Sequence, residues 1–175
     1  MNLTRLTLLI GSALSATLVG CAQNSWDPAD RQGGPISPPQ EVYRLVCAYR
    51  PPMWKNYHPN QHNRVEGFKF NLYLISRETN KGIHTNGTLQ AKLFTRQVQE
   101  DGTYVRTEVA TWTKDMSDAV PTTKPYQLGW GYQPHFYWGD LNLEGQEVEI
   151  VVSYHPPQGR PIFAQTRVQR VPIRG

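Results

Sequence analysis

The sequence predicts an all-β domain, an antiparallel two-sheet β-sandwich. Three observations lead there. Beyond residue 41, apolar residues recur at every second position in several runs. Turn-forming residues separate those runs. No stretch of useful length carries the 3.6-residue apolar period of a helix.

The runs justify themselves in chain order. Tyr43, Leu45, Cys47 and Tyr49 share one side of a first strand. Phe68, Phe70, Leu72 and Leu74 alternate with Lys69, Asn71 and Tyr73. Leu89, Ala91 and Leu93 alternate with Gln90, Lys92 and Phe94. Val148, Ile150, Val152 and Tyr154 alternate with Glu147, Glu149, Val151 and Ser153. Ile162, Ala164, Thr166 and Val168 alternate with Phe163, Gln165, Arg167 and Gln169. Successive strand side chains point to opposite faces, so each set predicts one buried face and one wetter face.

The breaks between runs agree with this. Glu100-Asp101-Gly102 predicts a tight hairpin between a run ending near Val98 and one starting at Tyr104, because Asp-Gly supplies positive φ angles. Asn80-Lys81-Gly82 and Asn86-Gly87 mark further turns. The segment His155-Pro156-Pro157-Gln158-Gly159-Arg160-Pro161 reads as a longer connection, and Asp115 to Val120 as at most one helical turn before Pro121. Roughly six to eight strands without crossover helices predict two sheets packed face to face, immunoglobulin-like or C2-like. A small closed barrel is the alternative, since period-two patterning does not distinguish closure from stacking. The domain is expected over residues 41–175.

Ahead of it the composition changes. Residues 22–40, AQNSWDPADRQGGPISPPQ, hold four prolines and two adjacent glycines. Such a segment buries too little apolar surface to offset the entropy of ordering, so residues 21–40 read as a tether. Before the tether, Arg5 is the only charge, and Leu6 to Val19 is an apolar stretch of 14 residues interrupted by Gly11, Ser12 and Ser15. A bilayer-spanning helix needs roughly 20 apolar residues. A positive start, a short apolar core and small residues at a boundary describe an export signal over residues 1–20.

The boundary itself, Leu18-Val19-Gly20-Cys21, resembles the lipobox of bacterial lipoproteins. That resemblance implies that the Cys21 thiol receives a diacylglycerol group, that the chain is cut before it, and that Leu18, Val19 and Gly20 are recognition residues. It implies a membrane partner through the lipid, since two buried acyl chains give stable anchoring where one does not. Ala22 stands where an aspartate signals inner-membrane retention in some lipoproteins, which favours the outer membrane where the cell has one. Leu128-Gly129-Trp130-Gly131-Tyr132 with the Val148 to Val168 strand pair is also similar to β-sandwich domains of small, uncharacterised bacterial lipoproteins. This second resemblance supports fold and anchoring and implies no reaction.

Charge narrows the partners. Only Arg5 of the 18 basic residues precedes residue 21, so the remaining 155 residues carry 17 basic against 14 acidic side chains, a net of +3. Mild basicity suits anionic polymers or lipids, and falls far short of a nucleic-acid binder's basic stripe. An envelope protein or a cell-wall polymer is the expected partner, and nucleic acid is not. With Cys21 lipidated, Cys47 lacks an intrachain partner and reads as a small buried hydrophobe, with an intermolecular disulfide or a reactive thiol as the sharper readings.

Motifs for chemistry are few. Gly129-Trp130-Gly131-Tyr132-Gln133-Pro134 lacks the third glycine of a dinucleotide loop. No phosphate-cradling loop and no Gly-x-Ser-x-Gly elbow occurs, and Ser153 lies within a strand. His58 and His62 have helical i, i+4 spacing, but Pro59 and the surrounding Pro51–Asn63 segment read as loop and no third ligand is evident, so no metal is expected and the pair reads as two solvated histidines. His84, His135 and His155 suggest no further site. Glu147 and Glu149, about 6.5 to 7 Å apart on one strand face, overlap the spacing of glycoside-hydrolysing carboxylates, but neighbouring acids on an exposed strand are ordinary. No catalytic residue and no cofactor is expected.

The aromatic residues are the better lead. Trp130, Tyr132, Phe136, Tyr137 and Trp138 fall within nine positions, and Trp54 and Tyr57 sit in the proline-rich loop. Aromatic faces stack on sugars and anchor interfaces. Trp54, Tyr57, Trp130, Tyr132, Tyr137 and Trp138 are the candidate binding surface, with inter-sheet packing as the competing use of the same rings. The expected function is a non-catalytic, lipid-anchored envelope module engaged in protein contact or a structural role. The alternative is a carbohydrate- or cell-wall-binding module that uses loop aromatics.

Overall fold

The computed structural model describes residues 41–119 and 128–174. Leu18, Val19, Gly20, Cys21 and the tether lie outside the described residues, as does the end of the predicted turn at Val120. Ten strands occur in chain order: β1 Val42–Ala48, β2 Trp54–Lys55, β3 Gly67–Lys69, β4 Asn71–Ser76, β5 Thr88–Val98, β6 Tyr104–Asp115, β7 His135–Tyr137, β8 Glu147–His155, β9 Ile162–Phe163 and β10 Arg167–Arg170. No helix occurs among the described residues, and so none is long and apolar enough to cross a membrane.

One layer has the order β10-β8-β5-β6, with β9 also on β8. All its pairings are antiparallel. The β5–β6 hairpin pairs Val98 with Tyr104 across the predicted Asp101-Gly102 turn, where Gly102 has φ +80° and Asp101 accepts hydrogen bonds from the Thr103 amide and hydroxyl. The second layer is built on residues 67–76, where only Phe70 separates β3 from β4. Along one side run β1, on β4, and β2, on β3. Along the other runs β7, whose register with β3 continues to the Leu72–Tyr132 bridge. The sheets pack as a sandwich and do not close into a barrel.

Between the layers, Leu89, Ala91 and Leu93 of β5, Trp112 of β6 and Ile150, Val152 and Tyr154 of β8 meet Leu45, Phe68, Phe70, Leu72, Leu74 and Phe136. The rings form a compact group. Phe136 lies 5.1 Å from Phe68, 5.4 Å from Phe70 and 5.2 Å from Trp112, centroid to centroid. The Trp112 indole N–H donates to the Tyr137 carbonyl at 3.0 Å, so a buried polar group finds its partner in the opposite layer. Cys47 is half-buried against this core, and burial pushes its thiol pKa up, which favours the protonated form.

Four sequence expectations need correction. The outer face of residues 68–74 is not wet: Asn71, Tyr73 and Ile75 are buried as fully as the inner face. Gly131 packs so closely on the Tyr73 ring that a β-carbon there would lie 2.7 Å from it, while residues 81–83 and Tyr132 hydrogen-bond along the edge of β4. Val168 is exposed, not inward, because residues 164–166 interrupt the pairing and the register on β8 slips by one between Ser153–Phe163 and Ile150–Arg167. One extra residue reverses the facing of everything after it. Glu149 is buried and Glu147 half-buried, each ion-paired with Arg96, and Glu149 also with Arg106 at 3.1 Å. Guanidinium groups occupy the carboxylates that spacing alone left open. The proline-rich segment is also not all loop, since it contributes β2.

Truncating a side chain at the centre of the packed faces tests this core. Leu93→Ala is expected to cost about 2–5 kcal/mol in urea denaturation, whereas Gln97→Ala, exposed at the end of the same strand, should stay within about 0.5 kcal/mol of the parent.

Candidate functional site

The aromatic residues divide between packing and surface. Trp54 faces its cross-strand partner Phe68 and packs edge-on against Phe68 and Trp138, at 6.4 and 6.3 Å. Trp138 is buried and donates its indole N–H to the Leu141 carbonyl. Tyr132 is buried, its hydroxyl 3.0 Å from His84 Nδ1. Trp130 is half-buried beside His84 at 5.9 Å. The loop and sheet aromatics do meet, and Trp138 and Tyr132 belong to the interior, the packing use that the sequence left open beside surface binding. Tyr57 and Tyr137 remain half-buried at the surface, 5.7 Å apart edge-to-face. They lie on the outer face of β2, β3 and β7. There Tyr57 covers Gly67, a position where a β-carbon would strike the Phe136 carbonyl and come within 2.6 Å of the Tyr57 ring.

Beneath Tyr57 is a carboxylate the sequence reading passed over. Glu66 stands at the entrance to β3, its amide donating to the Lys55 carbonyl and its carbonyl accepting from the Trp138 amide. That double clamp places its side chain under the 56–64 loop, fully buried. The loop is itself braced. Asn56 accepts from the His58 amide at 2.8 Å and donates to the His62 carbonyl at 2.6 Å. The His62 amide donates to the His58 carbonyl at 3.2 Å, closing a single helical turn. Pro59 fits there because the first position of a turn needs no amide donor. The i, i+4 spacing of the two histidines is thus realised in one turn without a helix.

Both imidazoles converge on Glu66. Oε1 lies 3.0 Å from His58 Nδ1 and 3.0 Å from His62 Nε2. Oε2 accepts from the Tyr57 amide at 2.7 Å and the His58 amide at 2.9 Å. The histidine side chains are 41% and 28% exposed against none for Glu66, so solvent reaches the group only through the rings. Burial pushes the Glu66 carboxyl toward a higher pKa, but the His58 imidazole and the two amides outweigh it and hold the carboxyl below its ordinary value. Its negative charge, after burial, raises the pKa of both Tyr57 and Tyr137. No lysine or arginine among the described residues forms an ion pair with it. The expectation of two solvated histidines without a third ligand is therefore corrected: Glu66 is that third group, four residues beyond His62. The available signal was a lone acid between Val65 and Gly67 at the head of an apolar run, where a carboxylate needs a partner.

The other sequence candidates assemble no chemistry. Ser153 is buried with its hydroxyl 3.0 Å from His155 Nε2, and no carboxylate among the described residues engages His155. His84 has Tyr132 on Nδ1 while Nε2 is buried with no hydrogen-bond partner among the described residues. Lys55 and Lys69 lie on the outer face with Tyr57 and Tyr137. Burial, and then the positive charge of Lys69 and Arg174, lowers the Lys55 pKa.

Two measurements check these environments. Glu66→Ala leaves two amides and two imidazoles without their acceptor, and is expected to cost about 3 kcal/mol or more in chemical denaturation. Burial lowers the His84 pKa below the ordinary histidine value of about 6.5, so the unfolded chain takes up the proton first. The contribution of neutral His84 is complete above about pH 6.5 and is lost as pH falls from there toward the folded-state value. The parent should thus lose stability more steeply than His84→Gln between about pH 7 and pH 5, and coincident profiles would refute this.

No protein-family model, no curated protein and no solved structure matches the chain.

Proposed function

We propose that this chain is a bacterial envelope lipoprotein, held to the membrane by lipid on Cys21, whose β-sandwich acts by contact with a protein partner or as a structural part of an assembly. The observation that carries this reading is the sequence Leu18-Val19-Gly20-Cys21 at the end of a short apolar run and ahead of a proline- and glycine-rich tether. Gly20 leaves room beside the thiol and the bond to be cut, and the polar residues from Gln23 onward mark the exit into water. The outer membrane is favoured where one exists, with the domain facing the periplasm or the exterior.

The two carboxylates whose spacing overlaps that of glycoside hydrolysis are engaged by arginines, Glu147 by Arg96 and Glu149 by Arg106. A second reading, contact with an anionic cell-wall polymer, is favoured by the outer face of β2, β3 and β7, where the half-buried Tyr57 and Tyr137 rings adjoin Lys55 and Lys69. Trp54 and Trp138 have no part in that revised surface, because their rings pack together inward.

In protein isolated from its native host, mass spectrometry should find a chain beginning at residue 21 and carrying diacylglycerol. Cys21→Ser should move the protein from the membrane fraction to the soluble one. An unmodified thiol at residue 21 would overturn the anchor. For the second reading, Tyr137→Ala should reduce retention on purified wall polymer, and unchanged retention would eliminate it.

A further inference from the structure

We propose that His58 Nδ1, His62 Nε2 and Glu66 Oε1 form a binding site for a divalent transition-metal ion of the zinc class. The three donor atoms all lie within 4.8 Å of one another, with Glu66 Oε1 at 3.0 Å from each imidazole nitrogen. Zinc binds such nitrogen and oxygen ligands at about 2.0–2.2 Å, which places tetrahedral ligands about 3.3 Å apart. The two Glu66–imidazole distances reach that spacing if the partly exposed rings move outward by a few tenths of an ångström, and the two imidazole nitrogens already lie within 4.8 Å of each other.

The donor chemistry selects the ion. Two imidazoles and one carboxylate suit zinc, and also cobalt, nickel or copper, whereas calcium and magnesium favour oxygen alone. The electrostatics point the same way. A fully buried carboxylate needs compensating charge or hydrogen bonds, and among the described residues the only basic side chains engaging it are the two imidazoles. A divalent ion supplies that charge directly.

Part of the supporting shell is already in place, while His62 Nδ1 is buried with no hydrogen-bond partner among the described residues. The Tyr57 and His58 amides hold Oε2, which also lies 3.1 Å from His58 Nδ1, while Oε1 faces both imidazoles, and Asn56 ties both ends of the turn that carries them. Such outer contacts orient ligands before the ion arrives. Three protein ligands leave a fourth position for water or for a donor from a bound partner, reached from the side where His58 and His62 meet solvent. The site lies within the folded domain and does not depend on the lipid anchor.

The test uses the full chain purified in detergent without a polyhistidine tag, stripped with a chelator and titrated with Zn²⁺ by calorimetry. Saturable one-to-one binding and a Zn²⁺-dependent rise in Tm are expected, as is a tetrahedral absorption spectrum with Co²⁺. His62→Ala should weaken Zn²⁺ binding by more than about 100-fold, the upper end of what loss of an outer-shell partner does. His155→Ala should leave it unchanged. Because Glu66 variants risk unfolding, His58→Gln is the second probe and should weaken binding comparably, with circular dichroism confirming its fold. Absence of saturable binding to the parent, or affinity unchanged in both histidine variants, would overturn the proposal and leave a cluster held together by protons alone.

Discussion

Burial of residues 65–76 on both faces, Lys69 excepted, is the constraint on which the rest of the structure depends. Val65, Glu66, Phe68, Leu72, Leu74, Ile75 and Ser76 are all inaccessible, and Phe70, Asn71 and Tyr73 nearly so. One face meets the β5–β8 layer through the Phe68, Phe70, Phe136 and Trp112 rings. Among the described residues the other face has no second sheet over it. The Tyr57 ring lies on it at Gly67 and the chain at Gly131 lies against the Tyr73 ring, while Gly82 and Tyr132 bridge along the strand edge. Such close approach is why glycine stands at positions 67 and 131.

The same constraint produces the candidate site. A carboxylate at residue 66 enters the buried segment with its strand and cannot remain in water. It is stabilised by two amides of the covering loop and by two imidazoles carried on a single turn of that loop. Loop and carboxylate thus hold each other. The loop supplies donors that a buried anion requires, and the anion fixes a segment that lacks regular structure of its own. Polar chemistry appears where irregular backbone closes over a strand, a common location for binding groups.

Local patterning and tertiary contact carried different parts of the result. The inward sets Leu89–Leu93, Val148–Tyr154 and Phe68–Leu74 were legible, because a strand's side-chain period is two whatever it packs against. The Asp101-Gly102 hairpin was legible, because its φ requirement is local. Val168 was misread, because an extra residue between β9 and β10 leaves no mark in the alternation but reverses all that follows. Tyr132 and Trp138 were ambiguous, since a large ring suits a core and a surface equally. Glu66 was missed because it lies in another element, beyond the loop that contains both histidines.

By itself the sequence determined the β class, the alternation of the main strands, the tight turns, and the short apolar run ending at a lipobox-like cysteine. All of these depend on neighbouring residues, through backbone sterics and side-chain periodicity. The tertiary structure alone decided which second faces are covered, which acids meet arginine, and that His58, His62 and Glu66 share one point. Those outcomes depend on how separate segments pack, and a linear pattern holds no record of the distance between residues that only folding brings together.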